Sequence, residues 1–291
     1  QTGIYLWFSS GSDIIGNSLN ESIYGMHLYY SDDSNISGNT MNNSADYGLY
    51  LDTSENNTIL ENLAFFNDYG FYLQDSDNNT VVGSTAGNNT SGIRIFSSNE
   101  CFILDSTLYN NTYGIYADTT LDLFMKGNNV YNCTDAGIFM QFSFNGEVRS
   151  NNMTFCDVGI HMDSADNNNL MHNMFKFNLD SGIFLDASED NRITGNTANW
   201  NSRDGIHLYY SDNNTIWLNN FSYNFRSNAW SLEGCDDNKW DNGTIGNYWG
   251  DYTDRYPDAK AVNGIWDTPY QGNMTESDRF PIAGDQQPDP G

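Results

Sequence analysis

Hydrophobic and polar positions along this chain alternate in short pieces that return at a fixed step. The clearest piece is a glycine followed by an apolar, a variable and an apolar residue: Gly3-Ile4-Tyr5-Leu6, Gly25-Met26-His27-Leu28, Gly48-Leu49-Tyr50-Leu51, Gly70-Phe71-Tyr72-Leu73. It recurs from Gly92, Gly114, Gly137, Gly159, Gly182 and Gly205 and ends in a degenerate copy, Ala229-Trp230-Ser231-Leu232. Lead residues are 22 to 24 residues apart. Each period also holds an Asn-x-Ile-x-x-Asn piece, such as Asn191-Arg192-Ile193-Thr194-Gly195-Asn196, and a shorter apolar piece around Met41, Phe65, Val130, Met153, Phe175 or Phe221. Period-two alternation puts the residues flanking the variable one inside and the variable one outside, as in a strand.

Three strands per period of about 22 residues predict an all-β fold: a right-handed, single-stranded parallel β-helix of about 11 coils with three sheets. Helical periodicity is absent. The asparagines recurring at coil spacing (Asn17, Asn39, Asn62, Asn128, Asn151, Asn173, Asn196, Asn219, Asn242) suit tight corners and can hydrogen-bond along a column. The repeat is expected over 1–243. Beyond it stand all five prolines with Trp249 and Trp266, and proline is excluded from central strands. Residues 244–283 therefore read as an irregular cap and 284–291 as a linker-like tail.

Charge narrows the partners. With 11 Lys and Arg against 38 Asp and Glu, the net charge is -27. Nucleic acid is excluded for want of a basic footprint. Anionic membranes and uronate-rich polysaccharides are disfavoured unless divalent cations bridge them. No apolar run reaches the ~18 residues of a membrane span.

The variable positions form one outward column: Tyr5, His27, Tyr50, Tyr72, Arg94, Tyr116, Phe139, His161, Phe184, His207. Three readings stand side by side for it: same-face support of a parallel sheet, a partner surface, or a platform for sugar rings. His27, His161 and His207 lie in separate coils and cannot share one metal; His172 is on a different strand. Asp52, Asp75, Asp118, Asp163 and Asp186 follow the first strand and could pair at the ~5–9.5 Å that glycoside hydrolysis needs, but repetition speaks for turn capping. The scarce cations Lys126, Arg149, Lys176, Arg192 and Arg203 show no focus.

Fourteen Asn-x-Ser/Thr sequons are glycosylation candidates: Asn20, Asn35, Asn42, Asn56, Asn78, Asn88, Asn89, Asn110, Asn132, Asn152, Asn213, Asn220, Asn242 and Asn273. Cys133 and Cys156 are 23 residues apart. They are expected either to bridge between adjacent coils or to stay as two buried thiols. Cys101 and Cys235 cannot pair with each other.

The closing segment carries a family signature: Gly246-Asn247-Tyr248-Trp249-Gly250-Asp251-Tyr252, then Gly264-Ile265-Trp266-Asp267-Thr268-Pro269-Tyr270, then Asp278-Arg279-Phe280-Pro281-Ile282. With the upstream repeats it resembles the NosD-like β-helix proteins found on archaeal, especially methanogen, cell surfaces. That family includes a copper-maturation protein and surface-layer proteins. Relatives often place an Asp-x-Asp-x-Asp-Gly run inside the closing motif; here the carboxylates are thinned to Asp251, Asp254, Asp258 and Asp267, which could still offer oxygen ligands to calcium.

These observations lead to the expectation of an extracellular, non-catalytic coat, sheath or filament subunit that self-associates or meets other envelope proteins. The alternative is a carbohydrate-binding or polysaccharide-processing module that uses the outward column for glycans.

Overall fold

A computed structural model of the protein describes residues 1–231 and 234–284. Leu232, expected to close the last repeat phrase, and residues 285–291 of the expected tail lie outside the described residues. The fold is the expected right-handed parallel β-helix, all-β, with about ten turns, three parallel sheets and almost no helix. Most coils contribute one six-residue strand to a first sheet, A, and three-residue strands to sheets B and C, as in Tyr47–Asp52, Thr58–Leu60 and Leu63–Phe65; the sheet A strands Ile183–Asp186 and Ser227–Ser231 are shorter.

The chain comprises two compact units, Gln1–Gly146 and Glu147–Gly291. In the first, sheet A runs from Thr2–Trp7 through Tyr24–Tyr29, Tyr47–Asp52, Tyr69–Gln74, Ser91–Phe96 and Tyr113–Asp118 to Ala136–Gln141. In the second it consists of Val158–Asp163, Ile183–Asp186, Asp204–Tyr209 and Ser227–Ser231, with Asn273–Met274 added from the closing segment. Pairing is in register throughout each unit, so Leu49 meets Phe71 and Ile183 meets Ile206.

Register is enforced by the core. Met26, Leu28, Leu49, Leu51, Phe71 and Leu73 in the first unit, and Ile183, Leu185, Phe175 and Phe221 in the second, are fully buried. Each such side chain contributes roughly 1.5–3 kcal/mol, and a slip by one residue would turn all of them outward. The lead glycine is required by close approach. A Cβ at Gly48 would stand 2.6 Å from the Gly70 carbonyl oxygen, so the need is for a missing side chain, not for left-handed backbone.

Side-chain ladders hold the corners. In the first unit the amide oxygen of Asn62 accepts from the Asn39 backbone N–H (2.9 Å), and that of Asn39 accepts from Asn17 (2.9 Å). In the second, Asn173, Asn196 and Asn219 repeat the device. The expected last rung is corrected: Asn219 bonds Asn247, not Asn242. Asn242 instead accepts from Thr244 and Ile245 within a local turn. Two further ladders, such as Asn67–Asn89–Asn111 and Asn168–Asn191–Asn214, occupy the other corners. Buried backbone groups at bends must find partners, and a short amide meets one above and one below.

The three pieces of the closing motif meet at one point. Asp278, fully buried, accepts from the Asn247 backbone N–H (2.7 Å), the Trp249 indole (2.9 Å) and the Phe280 backbone N–H (2.9 Å). Trp249 and Tyr270 stack at 4.2 Å. Burial pushes the Asp278 carboxyl up to about 7, against the pull of those three donors. A short helix, Tyr252–Arg255, lies between the first two pieces.

Candidate functional site

Among the described residues sheet A alone has six-residue strands, and its outward face presents three parallel columns. In the first unit the middle column is Tyr5, His27, Tyr50, Tyr72, Arg94, Tyr116 and Phe139, in register from coil to coil. The rings face one another: His27 and Tyr50 stack at 4.7 Å with 16° between planes, Tyr50 and Tyr72 at 5.3 Å and 11°. Arg94 lies 3.4 Å over the Tyr116 ring, and Tyr116 is 4.8 Å from Phe139. Because the π-faces are taken by neighbouring rings, an incoming sugar would meet ring edges, phenol hydroxyls and charged tips. This face offers hydrogen bonds more than stacking surfaces.

Two flanking columns complete it. Tyr24, Tyr47, Tyr69 and Tyr113 precede the lead glycines and pack against the middle column, as Tyr47 does on Tyr72 at 5.2 Å. Sequence reasoning passed over them, although they recur at the same step. Burial and neighbouring phenols push Tyr47 up to about 12. On the other side stand Tyr29, Asp52, Gln74, Phe96, Asp118 and Gln141. The Tyr50 and Tyr116 hydroxyls donate to Gln74 and Gln141, each at 2.9 Å. Arg94 bridges Asp118 at 2.8 Å, and His27 lies 3.9 Å from Asp52. Burial holds the His27 imidazole below its ordinary value, with Asp52 pulling the other way. Asp75, grouped with these carboxylates from its sequence position, falls one residue beyond the column, in a left-handed turn.

The second unit keeps the grid and changes its chemistry. The middle column reads His161, Phe184, His207 and Trp230; His161 stacks on Phe184 at 4.6 Å and Phe184 on His207 at 4.9 Å. The outer column reads Asp163, Asp186, Tyr209. The Ser164 hydroxyl donates to Asp163 at 3.0 Å. On the inner side Asp204, wholly buried, is gripped by both arms of Arg226, which also lies 4.3 Å over Trp230. Burial and the nearby Arg226 and Arg203 bring His207 down to about 4, so its imidazole is neutral at physiological pH.

The remaining predicted residues lie elsewhere. Asp251 is occupied by Arg255, Asn228 and the Tyr270 hydroxyl, while Asp267 accepts from the Lys260 backbone N–H at 2.9 Å. Asp254 and Asp258 join neither. Among the described residues no group of three or more His, Cys, Asp or Glu side chains converges as a metal ion would require, these four carboxylates included. All four cysteines are buried thiols, so of the two alternatives for Cys133 and Cys156 the structure takes the thiols and not the bridge. Of the sequons, Asn89 is buried within a corner ladder and Asn220 is buried too, whereas Asn20, Asn56, Asn78, Asn110, Asn132, Asn213 and Asn242 are solvent-exposed.

Comparison with known families identifies the lineage. The family described as "Periplasmic copper-binding protein (NosD)" matches residues 1–122 and 97–254. The chain belongs to this family. Its copper-binding description does not fit the donors present. The histidines of the outward face stack on aromatic rings in separate coils, the thiols point into the core, and burial pushes Cys101 up to about 12, away from the thiolate a soft metal needs.

Among solved structures, this NosD-family chain resembles the A-module of the Azotobacter vinelandii mannuronan C-5 epimerase AlgE6. The TM-score is 0.70 at 14% identity, covering 81% of this chain and 75% of that one. It also resembles a mutant of the periplasmic alginate epimerase AlgG (TM-score 0.69, 16% identity, 80% and 69% covered). A third is DFA-IIIase from Arthrobacter chlorophenolicus A6 without its lid (TM-score 0.62, 12% identity, 76% and 67% covered). Comparison with curated proteins gives no match. The expectation of a non-catalytic coat, sheath or filament subunit is thereby corrected. The mannuronan and alginate epimerases among these solved folds favour the carbohydrate alternative over it.

Proposed function

We propose that this protein is a polysaccharide-binding and polysaccharide-processing β-helix working outside the cytoplasm, with the glycan lying along the outward face of sheet A. The observation that carries the reading is the grid itself. Successive coils present phenol, imidazole, guanidinium, amide and carboxylate edges at the ~4.8 Å spacing of parallel strands, on the broadest strands of each unit. A polymer of hydroxylated rings needs such a row of directional donors and acceptors. Similarity to the two epimerases, whose names refer to mannuronan and alginate, supports the class of ligand. The location follows the periplasmic description of the family and of AlgG; no helix among the described residues is long and apolar enough to cross a membrane.

A glycan array with the purified protein tests this, read beside the double variant Tyr50→Ala/Tyr72→Ala. Binding to a defined glycan class that falls at least tenfold in the double variant supports the reading. Absence of binding to any glycan, or binding indifferent to both tyrosines and to the equivalent face of the second unit, removes it.

A further inference from the structure

Where sheet C leads into sheet A, the residue after each sheet C strand takes a left-handed backbone, and the two units fill that corner differently. In the first unit it is Glu21, Asn43, Phe66, Asn88, Asn110 and Asn132, at φ of 54° to 59°. Asparagine is the side chain that bears this conformation most easily after glycine. In the second unit the same corner holds Phe155, Phe177, Trp200 and Tyr223 in consecutive coils, at φ of 57° to 61°. A bulky ring is an outlier in that region. Strain repeated over four coils breaks a rule the first unit mostly keeps, and such departures concentrate at functional sites.

Burial does not repay the strain. Trp200 is 52% and Tyr223 65% exposed, and Phe225, two residues on, is 90% exposed. Stacking returns part of it: Phe155 lies on Phe177 at 5.5 Å and Trp200 on Tyr223 at 4.4 Å, each pair within 12° of parallel. Phe225 stacks on no ring among the described residues, so both its faces are free. The surface around these rings is concave. Trp200, Asn201, Ser202, Tyr223 and Phe225 line an open cleft of about 530 Å³, inside the ~300–1,000 Å³ range of small-ligand sites. Its floor is fixed, because Asn201 belongs to a corner ladder, accepting from the Asn178 backbone N–H (3.1 Å) and donating to Asn224 (2.9 Å). Its walls carry polar tips as well as rings. The Trp200 indole N–H and the Tyr223 and Ser202 hydroxyls are engaged by no other described residue.

We propose that this cleft is a second saccharide site, separate from the sheet A face, which takes one pyranose ring of a glycan chain against Phe225. It rests on the glycan reading of the protein, though not on the place that reading gives the glycan. A pyranose has two kinds of surface, a face of weakly positive C–H bonds and a rim of hydroxyls. The negative π-face of an aromatic ring suits the first, and the indole, phenol and serine tips suit the second. Uronates and neutral hexoses share the C–H face, so both fall within the class. A membrane surface would call for cations beside the rings, and all five lining residues are uncharged. Arg203, next in the chain, is held by Asp180 at 2.6 Å.

The test uses the full chain and two probes, a mannuronate hexamer and a β-1,4-linked glucose hexamer, in calorimetric titrations. Titrations are made in the Tyr50→Ala/Tyr72→Ala background, which removes those tyrosines from the sheet A face. Two cleft changes are then added separately: Trp200→Asn/Tyr223→Asn, which installs the residue the corner uses elsewhere, and Phe225→Ser. Phe66→Asn, at the same corner of the first unit, is the control. The expected result is binding of at least one hexamer to the background protein, weakened at least tenfold by each cleft change and less than twofold by the control. Which hexamer binds tells uronate from neutral sugar. Phe225→Ser should melt as the background does, because its ring is almost wholly in solvent, so it carries the test even if the paired change lowers stability. A background protein that binds neither hexamer, binding indifferent to the cleft changes, or self-association that those changes abolish overturns the cleft assignment. The sheet A reading survives each of these if wild type binds arrayed glycans through Tyr50 and Tyr72; wild type that binds no glycan at all overturns both.

Discussion

The outward face of sheet A in the first unit and the corresponding face in the second are built on the same strand pattern, each in register over an apolar core within its own unit, and differ in what they present. The first is carpeted with phenols: Tyr24, Tyr47, Tyr69 and Tyr113 pack beside Tyr50, Tyr72 and Tyr116, and each acidic side chain is neutralised or spaced by an amide. In the second the carpet thins to His161, Phe184 and His207, two carboxylates adjoin, and Asp204 with Arg226 stands where tyrosines stood. A solenoid frees its outward positions from the fold, because stability is set by the inward residues and the corner ladders. What differs between two stretches of one solenoid is therefore where chemistry can be sought.

Five substitutions, in three tests, would break or sharpen that contrast. The largest effect belongs to arginines. Arg226→Ala should cost about 3–5 kcal/mol, because it takes the two guanidinium hydrogen bonds from the fully buried Asp204 carboxylate. Arg94→Ala should cost only about 1–2 kcal/mol, since the Asp118 side chain keeps 15% of its surface in water and Thr119 as a donor. Urea unfolding of both variants checks this, and equal losses would erase the difference between the faces. Next, Asn62→Ala and Asn196→Ala should each cost about 2–4 kcal/mol and should match each other. Each leaves the backbone N–H of its neighbour, Asn39 or Asn173, without its acceptor. Unequal costs would mean the shared frame is not shared.

The smallest effect is a pH dependence read at His207 of the second unit. His207 has its folded value lowered to about 4 from an ordinary 6.5. A depressed folded value means the unfolded chain binds the proton first, so this contribution to stability is present above about pH 6.5 and is lost as pH falls toward 4. Melting measured from pH 7 to 4.5 should decline about 1–2 kcal/mol less steeply in His207→Gln than in wild type. Identical profiles would remove the neutral imidazole from the account.

Much of this was legible in the chain. The coil step, the three strands, the inward Ile and Leu and the Asn corners all follow from period-two alternation repeated every 22 to 24 residues. The outward column was legible as well, position by position. Its ring-on-ring packing was not, because face-to-face contact depends on rotamers that spacing does not specify. The ladder's jump from Asn219 to Asn247 was hidden for another reason. The coil there lengthens by the loop that holds Trp240, and only the folded corner shows which asparagine arrives at the next rung. The tyrosines before the lead glycines were in plain view and carried the right step. They were overlooked because a polar-tipped residue at a strand entrance looks like turn chemistry until its ring is seen packed.

The sequence by itself determined the solenoid. Every inward residue is tested by the same local rule in every coil, and a pattern repeated that often leaves one register and one fold. Tertiary structure decided which side chains became neighbours across coils: that Asp75 leaves the column, that Asp163 and Asp186 adjoin while Asp52 and Asp118 stand apart, and that Ser164 serves one aspartate while Ala187 cannot serve the other. Those are contacts between residues 22 or 23 positions apart, fixed to the single residue by where each strand begins. A shift of one position moves a side chain to the opposite face, and chemistry on a solenoid is sensitive at that resolution.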